Sequence, residues 1–484
     1  MSASKGEPPA LVLFRNDLRV ADNGALWAAS QTDKPVLAVY IHGEEGKGFR
    51  AHGGASLWWR HHSLKALDTK LRNLGIRFVL QRGTTRRIVD ELIERTGADA
   101  VFWNRRYEPA CVTADTAMKG ALRERGVRAE SFDGELLHEP SKLLTGAGSF
   151  YKVYTPFWKS LTSGPDPRDP IDPPTSLAAY SGKVFSIRLD DLVPLPAKPD
   201  WAGGMRESWM PGEDGAQALL DEFLKDGLDG YADGRDFPGR SATSRLSPHL
   251  AHGEITPHQL FAALRERKIA ASGDDVAKFR KEIAWREFCR HLLFHNPNLH
   301  DRNVQPSFDA FPWVTDETAL RAWQRGMTGY PIVDAGMREL WHTGTMHNRV
   351  RMIAASFLTK HLMMDWREGE RWFWDTLVDA DPGSNPANWQ WVAGSGADAA
   401  PYFRIFNPTL QGQKFDPDGV YVRRFVPELA ALPDRYLHTP WDAPKSVLSD
   451  AGVTLGETYP TPIVDHARAR ARALAAYRSI RNAA

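Results

Sequence analysis

The sequence predicts two domains of different class: a doubly wound parallel α/β sheet, then an all-helical domain, joined by a long connector. Three observations carry this reading. Short apolar runs alternate with helical periods over residues 1–137, a proline-punctuated stretch of little periodicity fills 138–214, and helical periodicity dominates 215–484. A chain of 484 residues is also long for a single core, so two or three domains are expected on size alone.

In the first domain Leu11–Phe14, Val36–Ile41, Phe78–Leu80 and Ala100–Trp103 read as buried strands, with helices over Trp58–Leu74, Thr84–Thr96 and Ala114–Arg125 between them. Alternation of this kind predicts a parallel, Rossmann-like sheet. The turn after the first strand, Arg15-Asn-Asp-Leu-Arg-Val-Ala-Asp-Asn-Gly24, lacks the glycine pattern of a nicotinamide-dinucleotide site. Pro165, Pro167, Pro170, Pro173, Pro174, Pro194, Pro196 and Pro199 break any period in the connector. The helical domain reads as Ala216–Lys225, Pro248–Gly253, Pro257–Lys268, Asp274–Phe294, Glu317–Arg325, Ile332–Gly344, His347–Met364 and Glu368–Leu377, with a short C-terminal helix over Asp465–Arg478.

Composition is that of a soluble globular protein, 42% hydrophobic and 25% charged, and a net charge of +1 means that a nucleic-acid partner would need a local basic patch. Cys111 and Cys289 lie far apart without metal-ligand spacing, so no metal site and a reducing compartment are expected. The N-terminus has no signal-peptide apolar region and no 18-residue apolar run occurs, which predicts a cytoplasmic protein without membrane contact.

Four stretches hold the candidate chemistry. Five tryptophans, Trp366, Trp372, Trp374, Trp389 and Trp391, surround the segment Asp379-Ala-Asp-Pro-Gly-Ser-Asn-Pro-Ala-Asn388, which reads as a loop. Indole can stack on a flat ring and be oxidised by one electron, and a helical core rarely needs so many. The paired acids Asp379 and Asp381 could suggest glycosidase or metal chemistry, or equally acceptors for a heteroaromatic ring and ribose hydroxyls. Thr243-Ser-Arg-Leu-Ser-Pro-His-Leu250 offers hydroxyls, the cation of Arg245 and a Ser247–Pro248 helix start that would suit a pyrophosphate; an ordinary capped helix explains it as well. On Lys281–Phe294, Glu282, Trp285, Arg286 and Cys289 share one face. A Glu282–Arg286 surface pair would account for two of them but not for Trp285. On Met346–Phe357, Asn348, Arg351 and Met352 share a face entering a buried helix, where polar groups need partners.

Together with Leu11-Val-Leu-Phe-Arg-Asn-Asp-Leu-Arg19, Thr328-Gly-Tyr-Pro-Ile-Val-Asp334 and Phe403-Arg-Ile-Phe-Asn-Pro408, these stretches resemble the photolyase/cryptochrome family, closest to bacterial cyclobutane pyrimidine dimer photolyases of class I or the related class III. The resemblance implies a U-shaped FAD in the helical domain, with Tyr231, Thr243, Ser244, Leu246 and Ser247 at its phosphates and Arg245 in the same cofactor loop. Arg286, Asn348, Arg351, Asp379, Asp381 and Asn385 would surround its flavin and ribose. Asn385 matches the position opposite flavin N5, where a neutral amide suits an anionic reduced flavin and an Asp would disfavour it. Glu282, Trp285, Asn348, Met352 and Trp391 are implied as the lesion pocket, and Trp389, Trp366 and Trp313 as an electron relay from flavin to surface. Trp323, Trp372 and Trp374 could offer a branch of the relay or serve as packing, the favoured reading.

Arg349 is the candidate phosphate contact, with Arg404, Lys414, Arg423 and Arg424 as further basic residues. An antenna chromophore is implied in the first domain, methenyltetrahydrofolate with Glu108 as its carboxylate, or an 8-hydroxy-deazaflavin. The implied activity is light-driven repair of cyclobutane pyrimidine dimers in DNA by a monomer. A blue-light sensor of the cryptochrome kind is the alternative, and a flavin electron carrier without DNA binding would leave Trp285 and Trp391 without a task.

Overall fold

The structure is a computed structural model, and it describes residues 7–482 apart from 44, 45, 47, 267–270 and 399–402. Five parallel strands, β1 (Ala10–Phe14), β2 (Val36–His42), β3 (Phe78–Arg82), β4 (Ala100–Asn104) and β5 (Arg128–Phe132), form one sheet in the order β3-β2-β1-β4-β5. Register is continuous through β1, where Ala10 pairs with Val36 on one side and Ala100 on the other. Successive β1 side chains feed opposite cores, because a strand alternates faces. Ala10, Val12 and Phe14 pack with Leu26 and Leu67 of the helices Gly24–Ser30 and Gly54–Asn73. Leu11 and Leu13 pack with Val89 and Leu122 of Thr85–Thr96 and Pro109–Glu124. The sheet is therefore covered on both faces, as the apolar runs predict. The pattern did not reveal β5: it is an edge strand, and of Arg-Ala-Glu-Ser-Phe only Ala129 is buried.

The connector is more ordered than its prolines suggest. It carries helices Tyr154–Ser163, Leu189–Leu192 and Gly203–Ser208. It also returns to the sheet, where Val36 N–H donates to Ala178 O (2.7 Å) and Ile187 N–H to Leu80 O (2.9 Å).

In the helical domain the expected helices appear with shifted ends. The one that starts at Pro257 runs to Glu266, and its predicted end at Lys268 lies outside the described residues. The predicted His347–Met364 helix is Asn348–Ser356 followed by a wider, π-type turn over Phe357–His361. The segment read as a loop to Asn388 becomes helical at Ser384, so Asn385, Trp389 and Trp391 all sit on a Ser384–Ala393 helix. Pro386 does not oppose this, because the first turn has no intrahelical N–H bonds to lose. That helix lies against Trp366–Thr376, and Gly369 permits the contact: a Cβ there would fall 2.1 Å from the Trp389 ring.

The turn Arg15–Gly24 is the clasp between the two domains. Leu18 N–H donates to His252 O (3.3 Å), Arg19 Nη1 to Gly253 O (2.9 Å), and the N–H groups of Val20 and Ala21 to the Glu213 carboxylate (2.9 and 3.0 Å). Gly253 is required twice over. Its φ is +68°, and a Cβ would lie 1.8 Å from Asn16 O.

Candidate active site

The electrostatic centre of the molecule is a residue that the motif reading passed over. Arg290, on the Gly273–His295 helix, is fully buried and lies within ion-pair distance of Glu135 (2.6 Å), Asp381 (2.9 Å) and Glu108 (3.2 Å). Burial alone would weaken its hold on a proton, but Asp381, Glu135 and Glu108 reverse this and hold it well above the ordinary range. Arg286, one turn earlier, donates to Glu135 O (3.0 Å) and Leu250 O (3.3 Å) instead of pairing with Glu282. A cation inside the apolar run Phe288-Cys-Arg-His-Leu-Leu293 was the available signal, since a buried guanidinium demands anions.

With three carboxylates on one guanidinium, one acid takes the strain. Burial pushes Glu135 up to about 7, only partly opposed by Arg290 and Arg286. Asp381 moves the other way: burial would raise it, but Arg290, Arg286 and the N–H groups of Ser384 and Gly383 keep it lowered. Glu135 thus binds its proton more tightly folded than unfolded. Its contribution to stability is fully present below the unfolded carboxyl range and lost as pH rises through about 7. Glu135→Gln should flatten stability between about pH 5 and about pH 8, where the wild type loses roughly 2 kcal/mol from this group, as read by denaturant midpoints.

Asp379 and Asp381 do not form a metal or glycosidase pair, because each is saturated by donors. Asp379 accepts from Arg351 Nη2 (2.9 and 3.0 Å) and from Ser247 Oγ (2.7 Å). Asp381 Oδ1 accepts the N–H groups of Gly383 (2.8 Å) and Ser384 (2.7 Å), capping the Ser384–Ala393 helix. This corrects the role of Ser247, whose hydroxyl reaches across to Asp379 rather than capping its own five-residue helix. In the same loop Thr243 is exposed and Ser244 half-buried, Leu246 is buried, and Tyr231 packs between Phe223 and Phe279. Arg245, at φ +54°, lays its guanidinium over Trp209 (4.4 Å) and donates to Ser208 O (2.9 Å), so its cation is already engaged.

Asn385 is buried, and its Nδ2 donates to Glu370 O (3.0 Å) and Glu370 Oε1 (2.8 Å). Glu370 escaped the sequence reading, although an acid within the Trp366–Thr376 helix of indoles was its sign.

Trp285 and Trp391, on different helices, line one pocket with Cys289, Leu292, Asn388 and Gln390. The back face of Trp285 is covered by Tyr154 of the connector, stacked at 3.7 Å and 5° with its hydroxyl donating to Lys281 O. Glu282, Asn348 and Met352 are not in that pocket. Glu282 pairs with Arg235 (2.9 Å) and Lys278 (3.0 Å), Asn348 is exposed at a helix start, and Met352 is half-buried. Arg349 pairs with Asp236 (2.6 Å) over the Phe415 ring, and Arg423 is held by Asp434 and three loop carbonyls.

Trp389 and Trp366 are buried in one core, with Trp313 half-exposed at its edge; Trp366 Nε1 donates to Asn303 Oδ1 (2.9 Å). Trp323 is buried beside Trp389 at 6.1 Å and bonds Ala354 O, whereas Trp372 stacks on the exposed Trp341 at 5.9 Å. Glu108, besides reaching Arg290, leaves Oε2 buried without a hydrogen-bond partner, and Arg286 Nε is likewise unpartnered. An unpartnered buried donor such as Arg286 Nε fits a polar heteroaromatic cofactor.

Two family models match the chain: one described as the FAD binding domain of DNA photolyase over residues 279–479, and one described as DNA photolyase over residues 10–175. A deoxyribodipyrimidine photo-lyase of Agrobacterium fabrum is 57% identical, covering 98% of each chain. Cryptochrome-1 of Arabidopsis thaliana is 39% identical over 96% of this chain and 69% of its own. The crystal structure of a bacterial class III photolyase from Agrobacterium tumefaciens superposes with a TM-score of 0.96 at 56% identity, covering 100% of this chain and 99% of that one.

Proposed function

The chain belongs to the photolyase/cryptochrome family, and from that premise we propose that it is a deoxyribodipyrimidine photo-lyase of the class III type, repairing cyclobutane pyrimidine dimers in DNA with light. The observation that carries repair over light sensing is the pocket shared by Trp285 and Trp391, two indoles from different helices that can stack on an extruded pyrimidine dimer. FAD, when bound, supplies the light-excited electron that splits the dimer and takes it back.

Every other part belongs to the chain. Asn385, its nitrogen held by Glu370, presents its oxygen as an acceptor for a ring N–H. Arg351 and Asp379 hold each other and Ser247, joining the flavin and phosphate ends of the cofactor site. Tyr154 keeps Trp285 rigid, so stacking on its free face costs little side-chain entropy. Glu282 would meet the thymine carbonyl edge only by leaving Arg235 or by acting through it. Photolyases are among the enzymes that take the target out of the stack, which is least costly at a base pair already damaged. Arg349 shares its charge with Asp236, and a DNA phosphate would compete for it, so affinity should fall with salt.

The antenna is proposed to be methenyltetrahydrofolate at Glu108, whose Oε2 is the oxygen left to receive it, with 8-hydroxy-deazaflavin as the other candidate. Among the described residues no helix is long and apolar enough to cross a membrane, and we place the enzyme in the cytoplasm as a monomer.

The test is direct. The purified protein is reduced with its FAD bound, mixed with a thymine-dimer oligonucleotide and illuminated while thymine absorbance is followed. Light-dependent recovery is expected, and its absence with FAD bound and reduced would overturn the repair reading.

A further inference from the structure

The Asn385 amide is not oriented by the helical domain alone. Its Nδ2 faces two acceptors, the main-chain oxygen and the carboxylate of Glu370. Neither can donate, so the reversed amide would set oxygen against oxygen. Glu370 therefore decides which end of Asn385 is offered to a ligand. Glu370 in turn is buried, and its carboxylate is gripped in a bidentate fork by Arg50 of the other domain, Nη1 to Oε1 at 2.6 Å and Nη2 to Oε2 at 2.7 Å.

Arg50 is itself fixed. Its guanidinium lies 3.9 Å over the Trp374 ring, whose Nε1 donates to Ala51 O (2.8 Å), and Gly54 N–H donates to Asp375 Oδ1 (2.8 Å). The chain can come this close only because residue 53 is Gly: a Cβ there would lie 2.2 Å from Trp374 O. The 50–54 segment thus closes on the C-terminal half of the Trp366–Thr376 helix, and only Glu370 separates it from Asn385.

We propose that Arg50 is a positioning residue for the bound flavin, reaching across the domain boundary through Glu370 to lock Asn385 with its oxygen toward the cofactor. The inference rests on the FAD reading above. Without Arg50 the buried Glu370 carboxylate loses the cation it pairs with among the described residues, and the group that holds Asn385 must turn away or take up a proton. A protonated carboxyl can donate, and then either end of the amide can face the flavin. An amide locked as acceptor favours flavin forms that carry N5–H, so loosening it disfavours reduction.

The experiment measures the reduction equilibrium of the bound flavin by dye equilibration in the full-length protein. Absence of bound flavin in the wild type would refute the FAD reading itself, separately from this one. Arg50→Gln should shift the equilibrium toward the oxidised form by about fivefold, the factor of one net hydrogen bond, with Arg50→Lys intermediate because it keeps the charge but loses the fork. In an Asn385→Ala background Arg50→Gln should have no further effect, as expected if Arg50 acts through the amide. An unchanged equilibrium in Arg50→Gln, or a shift of the same size that persists without Asn385, would overturn the proposal. Should Arg50→Gln lose its flavin, Arg50→Lys alone and in the Asn385→Ala background gives the same decision.

Discussion

Arg290→Met should be the most damaging single substitution in the protein, lowering stability by about 3–5 kcal/mol, the cost of breaking a buried ion pair from one side. The substitution removes no volume to speak of, so the effect is electrostatic. It leaves Glu108, Glu135 and Asp381 facing one another with Arg286 as the nearest remaining cation. Glu135, already held at about 7, will take up a proton first, whereas Asp381 keeps its two backbone N–H donors and stays charged. Denaturant midpoints give the comparison. Arg321→Met, which breaks an exposed i,i+4 pair with Glu317, should change stability by no more than about 0.5 kcal/mol. Adding Glu135→Gln to Arg290→Met should recover part of the loss by removing one acid. Equal midpoints for Arg290→Met and Arg321→Met would show that the buried cluster contributes no more to stability than a surface pair.

The second large effect concerns light rather than stability. Trp389→Phe should nearly abolish photoreduction of oxidised FAD while leaving repair intact when a chemical reductant is supplied. Trp389, on the helix of Asn385, and Trp366 are buried in one core with the half-exposed Trp313 at its edge, which is what the proposed relay requires. Phe keeps an aromatic ring in the core, although it lacks the outer indole edge that lies over Gly369, and it is far harder to oxidise. Transient absorption and the dimer-repair assay, run on the same preparation, separate the two activities. Equal loss of repair with and without reductant would refute the relay. Trp323 lies beside Trp389 as well, so residual photoreduction in Trp366→Phe would direct attention to it.

How far the sequence could be read follows from the range of each interaction. The strands β1 to β4 were legible because their buried residues form continuous apolar runs, even on the edge strand β3, and β5 was not because only one of its five residues is buried. The Ser384–Ala393 helix was hidden by Pro382, Gly383 and Pro386, which mark a loop unless they fall at a helix start. Ser247 was read as a cap from its neighbour Pro248, yet its hydroxyl is used by Asp379, far along the chain. Tyr154 lay in a segment that looked like linker, and only the Phe150–Tyr154 aromatic cluster signalled a packed contact.

Sequence alone was enough for the class of both domains, the helical faces that carry Trp285 and Arg351, and the neutral amide at residue 385. Periodicity and residue type are local properties and survive without coordinates. Tertiary structure alone decided the partners: Arg290 among acids from three distant segments, Tyr154 on the back of Trp285, and Arg50 on Glu370 behind Asn385. A buried charge or amide is oriented by whichever donors and acceptors the packing brings within about 3 Å, and chain distance leaves no mark of that choice.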